Sequence, residues 1–146
     1  MVCLGNICRS PLAQGLLQSK LPQQSFFVDS AGTSNYHTGK KPDKRSIAIA
    51  KYNGIDISKQ YARTFEISDF DTFDIIYVMD RTNFENIATL ARDTYDLDKL
   101  KLILEMDTKI QDKNVPDPYY EELLGFEIVF QLLDNVTSII AKQLLQ

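Results

Sequence analysis

The sequence predicts an α/β fold: a single domain on a four-stranded parallel sheet, with helices on both faces and a phosphate-binding loop after the first strand. Three observations carry this. Short apolar runs alternate along the chain with stretches of helical periodicity, the pattern of β-α units whose strands pair in parallel. The first run leads straight into a cysteine- and glycine-containing octapeptide that ends on a helix start. The 146 residues suit one domain, large enough to bury a core without metal or disulfide support, and no repeat, low-complexity tract or linker divides them.

Met1 to Cys3 reads as a strand end. Ser10-Pro11 reads as N-cap and first residue of a helix to about Leu21. Ser25 to Asp29 is the expected second strand, closing at a Ser30-Ala31-Gly32 turn. Asp43 is placed to cap a helix running to about Asn53, with Gly54 as its C-terminal stop. Asp74 to Met79 is an apolar run of buried-strand type, followed by a helix from about Thr82 to Ala91. Leu100 to Leu104 is the last expected strand, and Asp107 to Asn114 a polar exposed loop. A long helix begins near Tyr120, with Val129, Leu132, Leu133, Val136 and Ile140 on one face. Parallel sheets of this kind bind ligands at the carboxyl ends of their strands, which points to the segment after Cys3.

That segment, Cys3-Leu4-Gly5-Asn6-Ile7-Cys8-Arg9-Ser10, pairs a cysteine with an arginine six positions on. A reactive thiolate needs an electropositive setting; a phosphate dianion needs convergent N–H donors and a planar cation. Gly5 and Asn6 take backbone conformations that other residues resist, so the amides from Leu4 to Arg9 can turn inward as a nest beside the helix's positive end. Such a setting pulls a thiol pKa from roughly 8.5 toward about 3.5–7.5. The residues therefore suggest that Cys3 attacks phosphorus, that Arg9 grips two oxygens, and that Ser10 hydrogen-bonds the sulfur. Taken singly, a cysteine at a strand end is ordinarily a small buried hydrophobe, and Ser10 a plain helix cap.

Composition narrows the rest. A net charge of −4, from 16 basic and 20 acidic residues, argues against a nucleic-acid footprint and means that anion binding must come from local geometry. No apolar run is expected to reach membrane-spanning length and no signal peptide precedes the motif, so no membrane partner is expected. Both cysteines lie inside the loop, which points to a reducing cytoplasm. Cys3 and Cys8 make C-x4-C, but no second pair or histidine cluster completes a zinc site, so no metal and no organic cofactor is expected.

Val2-Cys3-Leu4-Gly5-Asn6-Ile7-Cys8-Arg9-Ser10-Pro11 resembles the active-site loop of the low-molecular-weight protein tyrosine phosphatases. The resemblance continues, in family order, through Val28-Asp29-Ser30-Ala31-Gly32-Thr33, Gly39-Lys40-Lys41-Pro42-Asp43-Lys44-Arg45, Ala62-Arg63, Phe73-Asp74 with Val78-Met79-Asp80, and Val115-Pro116-Asp117-Pro118-Tyr119-Tyr120. It implies a phosphocysteine on Cys3 and, as general acid and base, Asp117, which by itself reads as a turn or N-cap residue. It puts Tyr36 at an aromatic wall that, with Tyr119 and Tyr120, sandwiches a phenyl ring. It gives Asn6 and Ser30 to a hydrogen-bond web supporting the loop, with Asp80, Arg45 and Arg63 as structural partners. His37, the one histidine, is assigned no chemistry. Cys8 stays open between a buried structural thiol and a reversible disulfide with Cys3. The expected partner is a tyrosine-phosphorylated protein, a bacterial tyrosine kinase among the candidates, with phosphate or another oxyanion in the loop.

Two departures from the family pattern stand out. Gln60 occupies a position where the family often has a histidine supporting the loop asparagine; an amide donates one such bond but does not titrate. Only Met1 and Val2 precede Cys3, where the family has several apolar residues, so the strand is short or the natural start lies upstream. Within the fold, protein arginine phosphatases are associated with threonine where this chain has Ile7, and a branched apolar side chain suits a phenyl ester better. Arsenate reductases need further cysteines. A phosphotyrosine-binding module without turnover would be expected to lack the cysteine or the aspartate, and both are present; a redox-regulated phosphotyrosine-binding protein stays open only as an added role.

Overall fold

In the computed structural model, which describes all of residues 1–146, side-chain alternation along very short strands sets up two cores. The strands β1 (Val2–Cys3), β2 (Ala31–Gly32), β3 (Ile76–Val78) and β4 (Leu100–Leu102) pair in parallel in the order β2-β1-β3-β4. Cys3, Tyr77 and Met79 face one side, where Leu12 and Leu16 of α1 (Arg9–Lys20) meet Leu133 and Ile140 of α6 (Leu123–Leu144). Val2, Ile76, Val78, Leu100 and Leu102 face the other, against Phe70 of α3 (Asp69–Thr72) and Ile87 of α4 (Arg81–Ala88). Each such side chain contributes about 1.5–3 kcal/mol on burial. The remaining helices are α2 (Lys44–Tyr52), α5 (Thr94–Lys99) and a 3-10 turn at Ile103–Met106.

Several boundaries differ from the sequence reading, each for a local reason. Ser25 to Asp29 is not a strand. Register pairs Val2 with Ala31 and Cys3 with Gly32, so the second strand falls where a turn was expected; upstream, the Val28 N–H is taken by the Gln18 side chain instead. β3 and β4 are shorter than Asp74 to Met79 and Leu100 to Leu104, the latter tightening into the 3-10 turn. Helix α1 begins at Arg9 with Cys8 as N-cap, so Ser10 is inside the helix and does not cap it. α4 ends at Ala88, three residues early, and Asp93 starts the unforeseen α5 by accepting from Asp96 N. α6 starts at Leu123, not near Tyr120, because Tyr119 N donates to Asp117 Oδ1 and Glu121 N to Pro118 O in local turns. Its inner face uses Phe126, Phe130, Thr137 and Ala141 where Leu132 was expected; Leu132 is half-buried. With mean hydropathy 1.5, α6 is also long and apolar enough to cross a membrane, against expectation, but that apolar side packs on α1 in the core. The Asp43 cap is as expected: its side chain accepts from Arg45 N, and Gly54 follows at φ 80°.

β1 lies between β2 and β3, where connections leave in opposite directions, so the loop after it opens at the sheet's switch point. Residues 113–118 reach the same place because Val115 N donates to Met79 O at 2.8 Å, just past β3. Gly32 closes the other side: a Cβ there would stand 2.9 Å from Leu4 O and 3.3 Å from Asn6 Cβ. Gly32→Ala therefore strains the backbone of the loop itself. The expected cost is about 1–3 kcal/mol, read as a lower denaturation midpoint; an unchanged midpoint would contradict this packing.

Candidate active site

The curl from Leu4 to Cys8 is held by its carbonyls. Cys3 O accepts from Thr33 N, Leu4 O from Ser34 N and Ile7 O from Asp43 N, at 2.8–3.0 Å. Its amides are differently placed. Asn6 N donates to Cys3 Sγ at 3.2 Å, while those of Leu4, Gly5, Ile7 and Cys8 donate to no protein acceptor. They belong to the wall of a cavity of about 430 Å³ whose lining includes Cys3, Leu4, Gly5, Ile7, Cys8, Arg9 and Asp117. Unspent donors around a concavity, at the N-terminal end of a twelve-residue helix, are what an oxyanion requires.

Asn6 has φ 56°, the left-handed region that asparagine tolerates better than most residues. Its side chain is fully used beneath the loop. Nδ2 donates to Ser10 Oγ at 2.7 Å and Ser30 Oγ at 2.9 Å, and Oδ1 accepts from Arg63 N at 3.0 Å. Asn6 therefore supports the cavity rather than lining it, and its amide, expected among the phosphate-binding ones from Leu4 to Arg9, is directed at Cys3 Sγ instead. Ser10 Oγ, accepting from Asn6, stands 3.0 Å from Cys3 Sγ, within hydrogen-bond reach of the sulfur. Ser30 Oγ donates a hydrogen bond to Gln14 Oε1 at 2.6 Å. Arg63 continues the web through Asp29 and a fork onto Asp69. Gln60 stays outside it: Nε2 donates to Pro11 O at 3.1 Å, so the bond expected toward the loop asparagine is made by Arg63 N instead.

Arg9 is buried, and Nη1 is held by Asp80 Oδ2 at 2.7 Å and Val115 O at 3.0 Å. Nη2 lies 3.6 Å from Asp117 Oδ2. Burial works against its charge, but neighbouring Cys3, Asp80 and Asp117 outweigh it and raise the guanidinium's pKa. Asp80 also caps α4 through a reciprocal box with Asn83, so it orients Arg9 from a rigid helix end, as expected of a structural partner. Burial, with Asp43 next, pushes the Cys8 thiol up to about 12.

Tyr36, Tyr119 and Tyr120 all line the cavity, as the sequence reading placed them. His37 was missed. Its ring lies edge-on to Tyr36 at 5.0 Å and 6.0 Å from Tyr119, joining the walls contributed by two loops, and its Cδ2 packs over Gly5. Ser34 also lines the cavity. The only available signal for either was adjacency to Tyr36.

A family model described as low molecular weight phosphotyrosine protein phosphatase matches residues 1–146. The chain belongs to this family. A relative from Synechocystis sp. is 42% identical, covering 92% of this chain and 87% of its own. The low molecular weight phosphotyrosine protein phosphatase of Schizosaccharomyces pombe is 37% identical, covering 91% and 88%. Among solved structures, a protein tyrosine phosphatase from Entamoeba histolytica with Hepes in its active site superposes with TM-score 0.90 at 33% identity, covering 98% of this chain and 93% of its own. Wzb of Vibrio vulnificus in complex with benzylphosphonate gives 0.87 at 30%, covering 97% and 94%.

Asn6→Ala removes one acceptor and two donors from a buried web and an αL-tolerant residue from the loop. It should cost about 1–3 kcal/mol of stability and weaken inorganic phosphate binding; retained affinity would contradict the supporting role. Between about pH 6 and 9 Cys8 stays a thiol, so iodoacetamide should modify Cys3 and spare Cys8. Peptide mass mapping reads this, and equal labelling would overturn it.

Proposed function

We propose that this protein-tyrosine phosphatase works through a phosphocysteine on Cys3, with Arg9 and the loop amides as the phosphate cradle and Asp117 as general acid and base. The observation that carries the reading is the depth of the sulfur. Cys3 is 2% exposed, on the wall of the cavity that also holds the unspent amides and Arg9, with Asp117 and the tyrosines toward the mouth. A phosphate on a phenyl ring reaches such a depth with the ring between aromatic walls; one on a serine side chain does not.

In the first step Cys3 Sγ attacks phosphorus in line, the P–O bond to the tyrosine oxygen breaks, and Asp117 delivers a proton to the departing phenolate. Arg9 and the amides of the loop carry the charge spread over the equatorial oxygens. In the second step water attacks phosphorus, Asp117 takes its proton, and the S–P bond breaks. The Ser10 hydroxyl, oriented by Asn6, donates to the departing thiolate. The partner is a tyrosine-phosphorylated protein, with a bacterial tyrosine kinase among the candidates, and the compartment is the cytoplasm; two free thiols next to a nucleophilic role support a reducing setting.

Hydrolysis of phosphotyrosine, phosphoserine and phosphoarginine by wild type, Cys3→Ser and Asp117→Ala tests the reading. Phosphotyrosine should be the preferred substrate. Cys3→Ser should abolish turnover while keeping affinity for phosphate, and Asp117→Ala should slow phosphotyrosine by about 10²–10⁴-fold. Faster release from phosphoarginine would replace the substrate assignment.

A further inference from the structure

Arg45, the second residue of α2, does not line the cavity, yet its guanidinium is committed almost entirely to two places. Nε donates to Asp43 Oδ1 at 3.0 Å and Nη2 to Asp43 Oδ2 at 2.9 Å, a fork on one carboxylate. Nη1 donates to Glu121 O and Nη2 also to Tyr119 O, both at 3.0 Å. The same group lies over the ring of Phe126, 4.4 Å from its centroid, in the first turns of α6.

The segment these bonds hold carries Asp117. It is irregular, exposed and anchored at its start through Val115, which accepts from Arg9 and donates to Met79 O. From Pro118 to Glu122 its remaining hydrogen bonds are local, Tyr119 N to Asp117 Oδ1, Glu121 N to Pro118 O and Gly125 N to Glu122 O; those reaching in from elsewhere in the protein come from Arg45. On its other side, Asp43 N donates to Ile7 O in the loop that carries the cysteine. One brace thus spans Ile7, Asp43, Arg45 and the carbonyls that follow Asp117.

We propose that Arg45 is a positioning residue for the general acid: by clamping the Tyr119 and Glu121 carbonyls to Asp43, it sets where the Asp117 carboxyl stands relative to the leaving-group oxygen. This rests on the role assigned to Asp117 above. The clamp needs a planar fork serving a carboxylate and two carbonyls at once, which a lysine ammonium cannot reproduce. Arg45 holds the Asp43 carboxyl below its usual range, consistent with a persistent pair.

The test compares kcat/KM, which reports the first chemical step, across aryl phosphates whose phenols span strong to weak acidity. It uses wild type, Arg45→Met, Arg45→Lys, Asp117→Ala and the Arg45→Met/Asp117→Ala pair. An acidic phenol departs with little help, whereas a weakly acidic one needs the proton from Asp117. Arg45→Met should lower kcat/KM by about tenfold or more for the poorest leaving groups, a part of the roughly 10²–10⁴ that general acid catalysis supplies. It should change the best ones by under about threefold, leave inhibition by inorganic phosphate intact, and add little in the Asp117→Ala background. Arg45→Lys should show the same leaving-group selectivity and serves as the readout if the methionine variant does not fold. A loss uniform across leaving groups, an additive loss in the double variant, or no loss in either Arg45 variant overturns the proposal. Should Asp117→Ala itself prove insensitive to the leaving group, the assignment of the acid fails instead, which is a separate outcome.

Discussion

Asn6 holds a left-handed backbone at φ 56° in the middle of a loop that must present several amides to one point, and every polar atom of its side chain is spent doing so. Each of those bonds contributes a modest net amount, about 0.5–1.5 kcal/mol, but they run to separate places: α1 through Ser10, the approach to β2 through Ser30, and the segment at Arg63. Shape here is therefore a shared property of several segments. Ser10 and Ser30 each accept from Asn6; Ser30 donates onward to Gln14, and Ser10 lies against the sulfur.

A chain of net charge −4 binds an anion only if local donors outweigh the overall field. Arg9 supplies one cationic charge, but Asp80 already faces it at 2.7 Å and Asp117 at 3.6 Å. A pair such as Arg9–Asp80, largely out of water, adds little net stability; its evident effect is to aim the guanidinium. Affinity for a dianion must then lean on the uncharged amides of Leu4, Gly5, Ile7 and Cys8, which bring positive potential without adding a charge that needs desolvation.

The parts legible in the sequence were those whose chemistry is written locally. Cys3, Arg9 and Asp117 meet in one cavity, and Asp43 caps α2. What escaped depended on tertiary partners. The second strand shifted to Ala31–Gly32 because pairing with β1 decides it, not the apolar character of Ser25 to Asp29. Ser10 meets the sulfur as expected, but its cap role fell away because the helix begins one residue earlier, at Arg9. His37 and Arg45 act across loops distant in sequence, and neither spacing nor periodicity reports such contacts. Gln60 has an amide that could reach the loop, but packing turns its Nε2 to Pro11 O, so it gives Asn6 no bond.

Val115 ties the acid-bearing segment to Met79 and to Arg9, so the nucleophile and the proton donor meet only after residues 106 positions apart in the chain have come together. Helices α1 and α6 close a loop of the same order, Lys20 and Asp134 being 114 positions apart. Theirs is a non-directional apolar contact, however, that can bury surface before the directed hydrogen bonds of the junction are made. During refolding, burial would then be recovered ahead of turnover, and the return of catalysis would time the closing of this junction rather than the collapse of the core.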